Sequence, residues 1–262
     1  MTEGAKIDGF EHGTYWQEVV EGDKIPGSTR VPVFEISRHF ASINKEVGDQ
    51  GERIIVDLGS GSGRSTEVLQ KSFPGVDVVA LDLSLSGLQQ TEWVDKKIAA
   101  SVDSLPLADS SVDVFSMCGV MTNLVDRDPE ISKEIRKKTA QEIKRCLKEG
   151  GMCVISDFVR PHNLSGYPAD YGRHSLITNE EGTIAVFDPS KKITFKNLSD
   201  GEVEALTNSP DLQRFAHHYK PEELIKIFQG EGLKATAYSI EIGNTPSGTP
   251  IDTIILSVVK EK

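Results

Sequence analysis

The 262-residue chain is long enough for one large domain or two small ones, and its composition is ordinary for a globular protein. A formal net charge of −11 speaks against a nucleic-acid or anionic-membrane partner, since both are polyanions, although a local basic groove stays open. Cys118, Cys146 and Cys153 form no CxxC pair and no metal-ligand spacing, the start is polar and acidic, and no apolar run nears the roughly 20 residues of a membrane helix. A cytoplasmic protein with reduced thiols and no metal is expected.

Residues 1–50 lack strand alternation. Within them Val33, Ile36, Phe40 and Ile43 recur at helical spacing after the Pro26-Gly27 break, so this region is expected to be an N-terminal helical lid. From residue 53 the pattern becomes strand, helix, strand. RIIVDL (53–58), VDVVALDLS (76–84), KIAASVD (97–103), VDVFSMCGVM (112–121) and MCVISDF (152–158) predict five strands, the first a continuous apolar run suited to burial on both faces. Helices are expected over 65–73, over 84–94 behind a serine cap, and over 128–151. The last carries a buried stripe of Ile131, Ile135, Ile143, Cys146 and Leu147 and stops at a glycine pair.

Residues 159–216 break the rhythm and read as an insertion in a domain spanning 51–262. A helix returns at 221–233, and two strands flanking NTPSG make a closing hairpin. The whole predicts an α/β fold, a Rossmann-like sheet with right-handed crossovers, mostly parallel, whose last strand runs antiparallel.

The stretch DLGSGSGRST (57–66) carries the chemistry. A dinucleotide fingerprint needs its third glycine where Arg64 stands, whereas Gly63 arrives one residue early. Asp57 is a poor neighbour for a pyrophosphate and a good one for a ligand with a cationic end. Asp82, at the end of the second strand, suits a pair of ribose hydroxyls, and Asp103, at the end of the third, suits an adenine amino group. The structural alternatives are a helix cap for Asp82 and a turn residue for Asp103. A phosphate-free nucleoside bearing positive charge fits this set, as S-adenosylmethionine does.

These residues resemble the class I S-adenosylmethionine-dependent methyltransferases, in the type 11 or UbiE-like group. DLGSGSG (57–63), ALDLS (80–84), SVDSLPLADSSVDVFSMCGV (101–120), EIKRCLKEGGMCVISDF (142–158) and HHYKPEELIKIFQGEGL (217–233) carry the likeness. The resemblance implies that Asp57 and the backbone of Gly59, Ser60 and Gly61, with Gly63 closing the loop, hold the methionine end. Asp82 would take the ribose, Leu83 the adenine face, Asp103 and Ser104 the adenine edge, and the Cys118 backbone the amino group. Tyr15, Trp16 and Arg30 of the lid would close over the cofactor, Arg30 on its carboxylate.

The resemblance implies methyl transfer by in-line displacement, leaving S-adenosylhomocysteine. A small organic acceptor under the insertion is expected, with a tRNA-modifying enzyme or a non-catalytic cofactor-binding protein as alternatives. No catalytic base stands out. His217, His218, Tyr219 and His174 are candidates, one of the paired histidines being expected to face the pocket and the other the surface. Tyr167, Tyr171 and Arg173 of the insertion are comparable acceptor contacts, and removing the insertion is expected to spare cofactor binding. Oligomeric state is not legible.

Overall fold

The computed structural model describes residues 33–47, 52–158, 175–177, 182–187, 193, 198–244 and 250–262. Its main sheet has seven strands: β1 (Ile54–Leu58), β2 (Asp77–Asp82), β3 (Lys97–Ala99), β4 (Val112–Cys118), β5 (Leu147–Phe158), β9 (Lys234–Asn244) and β10 (Pro250–Val259), in the order β3-β2-β1-β4-β5-β10-β9. Strands β1 to β5 pair in parallel, and β10 is antiparallel to both β5 and β9. The expected sheet and its reversed last strand are present.

Two helical layers cover the sheet because its central strands are apolar on both faces. On one face Ile36 and Phe40 of α1 (Val33–Val47) and Leu69 of α2 (Arg64–Ser72) pack with Ile55, Val78, Val114 and Val154. Helix α1 is thus a layer of the domain; Tyr15, Trp16 and Arg30 lie outside the described residues. On the other face Ala140 and Ile143 of α4 (Pro129–Cys146) and Leu224 and Phe228 of α6 (Pro221–Gly230) pack on Val56, Phe115, Ile155 and Leu256. A short helix, α3 (Leu85–Gln90), follows β2. No helix among the described residues is long and apolar enough to cross a membrane.

Three expectations are corrected. Helix α4 ends at Cys146, because Leu147 turns extended and pairs with Val112. The next pairing is Val114 with Met152, so Lys148–Gly151 form a bulge at the start of β5, with Gly150 at φ 78°. The glycine pair therefore shapes a strand rather than stopping a helix. Ile131 is exposed, and the first half of α4 buries Ser132 and Arg136 instead. That end of the helix meets polar neighbours: Arg136 Nε donates to the Leu124 carbonyl at 3.0 Å, and its guanidinium lies over the Tyr219 ring. Finally, β3 stops at Ala99, and Asp103 sits in the following turn.

The insertion carries structure of its own. Strands β6 (Ser175–Ile177), β7 (Thr183–Phe187) and β8 (Leu212–His217) form a second, antiparallel sheet, with α5 (Asp200–Thr207) between β7 and β8. Its small core is Ala185, Phe187 and Phe215 packed on Val125, a residue of the chain between β4 and α4.

Candidate cofactor and acceptor site

Strand β1 ends in a tight loop that returns into α2. Gly59, Gly61 and Gly63 all take positive φ, of 68°, 54° and 87°. A β-carbon on Gly59 would stand 2.4 Å from Val120 Cγ2, and one on Gly63 2.6 Å from Thr91 Cγ2. Beside Gly61, by contrast, nothing lies within 4 Å of that position, and the same holds for Gly119, just beyond β4, at φ 67°. Two of the glycines are needed for close packing; Gly61 and Gly119 border open space.

Four amides of the loop are engaged within the fold. Gly59 and Ser60 donate their amides to the Leu81 carbonyl at 2.7 and 3.1 Å, Gly63 donates to Ser60, and Gly61 donates to Asp82 Oδ2 at 2.8 Å. With these four amides taken, what the loop offers a ligand is shape, carbonyl oxygen and the Ser60 hydroxyl rather than the N–H cluster of a phosphate cradle.

Asp57 is fully buried at the end of β1. Its Oδ2 accepts from Ser65 Oγ at 2.6 Å and Thr66 Oγ1 at 2.7 Å, both in the first turn of α2. Its Oδ1, like Ser60 Oγ, is buried with no hydrogen-bond partner among the described residues. Burial pushes the Asp57 carboxyl up to about 6 against those two hydrogen bonds, and nearby Asp82 pushes the same way. Asp82 is itself raised by burial, while its Oδ1 accepts from the Ser84 amide at 2.7 Å. A buried carboxylate with an orphaned oxygen beside a second, half-buried one forms a site that gains most from a cationic ligand.

Leu83 stands exposed beside Asp82, as a wall for an aromatic base would. Asp103 is half-buried and Ser104 exposed in the turn after β3. Cys118 ends β4; burial, with Asp57 close by, pushes its thiol up to about 12, so the side chain stays a protonated thiol.

The paired histidines are both buried, so neither faces the surface. His217 Nε2 is 2.7 Å from Glu223 Oε1 and its Nδ1 is 3.4 Å from Thr183 Oγ1. Its ring lines a cavity of about 410 Å³ with Arg136, Thr183, Glu204 and Phe215. His218 falls on the opposite face of the chain, with Arg214; burial first, then the Arg214 charge, hold its imidazole down to about 3, hence neutral. Tyr219 donates its phenol to the Met121 carbonyl at 2.8 Å, and burial drives its acidity far down. His174, Tyr167, Tyr171 and Arg173 lie outside the described residues.

Residues 56–155 match the type 11 family of methyltransferase domains. Over these residues the chain is similar to the S-adenosylmethionine-dependent methyltransferases of the type 11 group. A ubiquinone/menaquinone biosynthesis C-methyltransferase, UbiE, from Syntrophotalea carbinolica is 28% identical over 141 residues, 50% of this chain and 56% of that protein. A tRNA (guanine-N(7)-)-methyltransferase of Mycobacterium bovis is 28% identical over 153 residues, 53% of this chain and 55% of that one. The chain spans about half the length of the curated relatives it matches. Among solved structures, a SAM-dependent methyltransferase of Methanosarcina mazei shares the fold at a TM-score of 0.58 and 22% identity, covering 81% of this chain and 94% of its own.

The cofactor of this group fits the residues present. S-Adenosylmethionine carries a sulfonium and an ammonium, charges that a carboxylate with an orphaned oxygen such as Asp57 would suit, and it needs no phosphate donors from the glycine loop. Residues that sequence reasoning passed over complete the site. Gly87 of α3 is one: a β-carbon there would stand 2.9 Å from the Gly61 carbonyl oxygen. Thr91 beneath Gly63 is another. A glycine inside a predicted helix was the legible signal for Gly87; Thr91 had none.

Proposed function

We propose that the chain transfers the methyl group of S-adenosylmethionine to a small organic acceptor bound between the insertion and the carboxyl edge of the main sheet. The observation that carries this reading is Asp57: a buried carboxylate with an unsatisfied oxygen at the glycine loop, next to a second, half-buried carboxylate. Asp57 and the carbonyls of the loop hold the methionine end. Asp82 accepts the ribose hydroxyls, Leu83 covers the adenine, and Asp103 and Ser104 meet its edge. The backbone at Cys118 meets the amino group, and Tyr15 and Arg30 close the site. When bound, the cofactor supplies an already activated methyl group on sulfur. The chain's part is alignment of an acceptor lone pair behind that carbon, an effect worth about 7–11 kcal/mol where geometry is favourable.

The acceptor side follows from the insertion. Strand β8 bonds to the segment directly after β4: Thr122 Oγ1 donates to the His217 carbonyl at 2.9 Å. Loops at that edge of an open sheet carry substrate contacts on a rigid scaffold. The −11 charge favours a small acceptor over tRNA.

Calorimetry with S-adenosylhomocysteine tests the cofactor, with a dissociation constant expected in the micromolar range, about −8 kcal/mol. Turnover is then followed as S-adenosylhomocysteine release, with a panel of small nucleophiles in one arm and total tRNA in the other. Absence of binding to either cofactor form sinks the reading. Binding with no release in any arm favours a cofactor-sensing protein, and release with tRNA alone reassigns the acceptor.

A further inference from the structure

Strand β8 presents alternate residues to two sides. Phe215 and His217 face the cavity beside α4, whereas Arg214 faces the segment that leaves β4. There a chain of side-chain bonds runs toward the cofactor side. Arg214, buried, donates Nη1 to Asn123 Oδ1 at 2.8 Å. Asn123 in turn donates Nδ2 to the carbonyl of Gly119 at 2.7 Å. Gly119 follows Cys118, the last residue of β4, and its own amide donates to the Ser156 carbonyl of β5 at 2.8 Å. Val120, the next residue, is the one that closes on Gly59 of the cofactor loop.

We propose that Arg214 of the insertion is a positioning residue for the cofactor, acting through Asn123 to hold the Gly119 carbonyl and the end of β4 in their binding geometry. The proposal rests on the reading that the β4 end meets the amino-acid part of S-adenosylmethionine. Gly119 needs such a hold: at φ 67°, with open space beside it, it has no side chain to fix its peptide plane. An amide side chain suits the task, since its oxygen accepts from the guanidinium while its nitrogen donates to the carbonyl, and a buried arginine cannot lose its proton. The insertion is then wired to the cofactor site and not only to the acceptor, so the expectation that its removal spares cofactor binding is reversed. A molecule seated against β8 shifts Arg214 and with it the affinity for cofactor, and the coupling acts equally in the other direction.

The test is S-adenosylhomocysteine binding by calorimetry to the full chain carrying Arg214→Met, Asn123→Ala, both together, or Asn123→Asp, with thermal unfolding recorded for each. Loss of one such buried bond corresponds to a weakening of about five- to tenfold. Arg214→Met and Asn123→Ala are each expected to show it. Because the two act in series, the double variant is expected to bind no more weakly than Asn123→Ala alone. Asn123→Asp keeps the acceptor for Arg214 but turns an oxygen on the Gly119 carbonyl, so it is expected to weaken binding while holding the melting temperature closer to wild type than Asn123→Ala. Arg214→Lys, which keeps a donor, is expected to recover part of the affinity. Unchanged affinity in Arg214→Met, or losses that multiply in the double variant, overturns the proposal. Should Arg214→Met fail to fold, an Asn123→Asp protein with wild-type affinity overturns it equally. A wild-type chain that binds no S-adenosylhomocysteine defeats the parent reading instead.

Discussion

Gly61 and Asp82, 21 residues apart, share a 2.8 Å hydrogen bond in which the glycine amide donates to the carboxylate. It ties the loop after β1 to the end of β2. The carboxylate assigned to the ribose thus also holds the loop assigned to the methionine end, and one substitution reaches both.

Asp82→Ala removes the acceptors of the Gly61 and Ser84 amides along with the proposed ribose contacts. Charge-assisted bonds of this kind are worth about 1.5–3 kcal/mol, which corresponds to a ten- to hundredfold loss of cofactor affinity. Calorimetry with S-adenosylhomocysteine should read that loss, and an unchanged dissociation constant would reduce Asp82 to a cap for α3.

Asp57 makes the stability of the ligand-free protein depend on pH. Its folded carboxyl, up at about 6, lies above its ordinary value near 4, so the folded state holds the proton more tightly. The contribution is full below pH 4, falls as pH rises through 6, and at higher pH the buried charge costs on the order of 3 kcal/mol. Urea unfolding of Asp57→Asn should therefore show a stability gain over wild type at pH 8 that shrinks toward pH 4. A pH-independent difference would count against the buried charge.

The same residue predicts a proton count on binding. A cationic ligand beside Asp57 lowers its pKa, so S-adenosylmethionine should release a proton near pH 6 and none at pH 8. Calorimetry at each pH in buffers of different ionisation heat measures this. Equal heats in all buffers at pH 6 would place the cationic end of the ligand elsewhere.

Gly63→Ala meets two obstacles, the left-handed backbone at φ 87° and the Thr91 side chain 2.6 Å from the new methyl. Together they should destabilise the fold by about 2 kcal/mol, of which the backbone part is roughly 1 kcal/mol. Adding Thr91→Ala should return the packing share only. Full recovery in the double variant, read by denaturant titration, would show that the backbone angle is not strained.

Glu223→Ala leaves the buried His217 ring without its 2.7 Å partner and Arg136 without the carboxylate 3.9 Å away. Since Glu223 is one-third exposed, solvent offsets part of the loss, and about 1–2 kcal/mol is expected. Cofactor affinity should hold, because His217 turns to the face of β8 away from Arg214. A Glu223→Ala protein with wild-type stability but weakened cofactor binding would move His217 into the site.

What the sequence by itself determined is what lies within one strand and the turn after it. Apolar runs on both faces dictate parallel strands between helical layers, and glycines at 59, 61 and 63 dictate a left-handed loop. A carboxylate at the end of β1 and another at the end of β2 then follow from spacing alone, and with them the kind of ligand. Ser84 as the cap of α3 was legible for the same reason, since its acceptor role spans three residues. What only the tertiary structure decided depends on contacts between distant segments. The four residues bulging at Lys148–Gly151 look like helix until Leu147 is seen to pair with Val112. The polar first half of α4 defies its own Ile131 because Tyr219 and Leu124, far along the chain or before the helix, meet Arg136 there. The paired histidines share one composition and two opposite faces, which strand alternation assigns only once β8 has a register with β7. The link from Arg214 to Gly119 spans 95 residues and two sheets, so no local pattern carries it: hydrogen-bond partners are chosen by proximity in the fold.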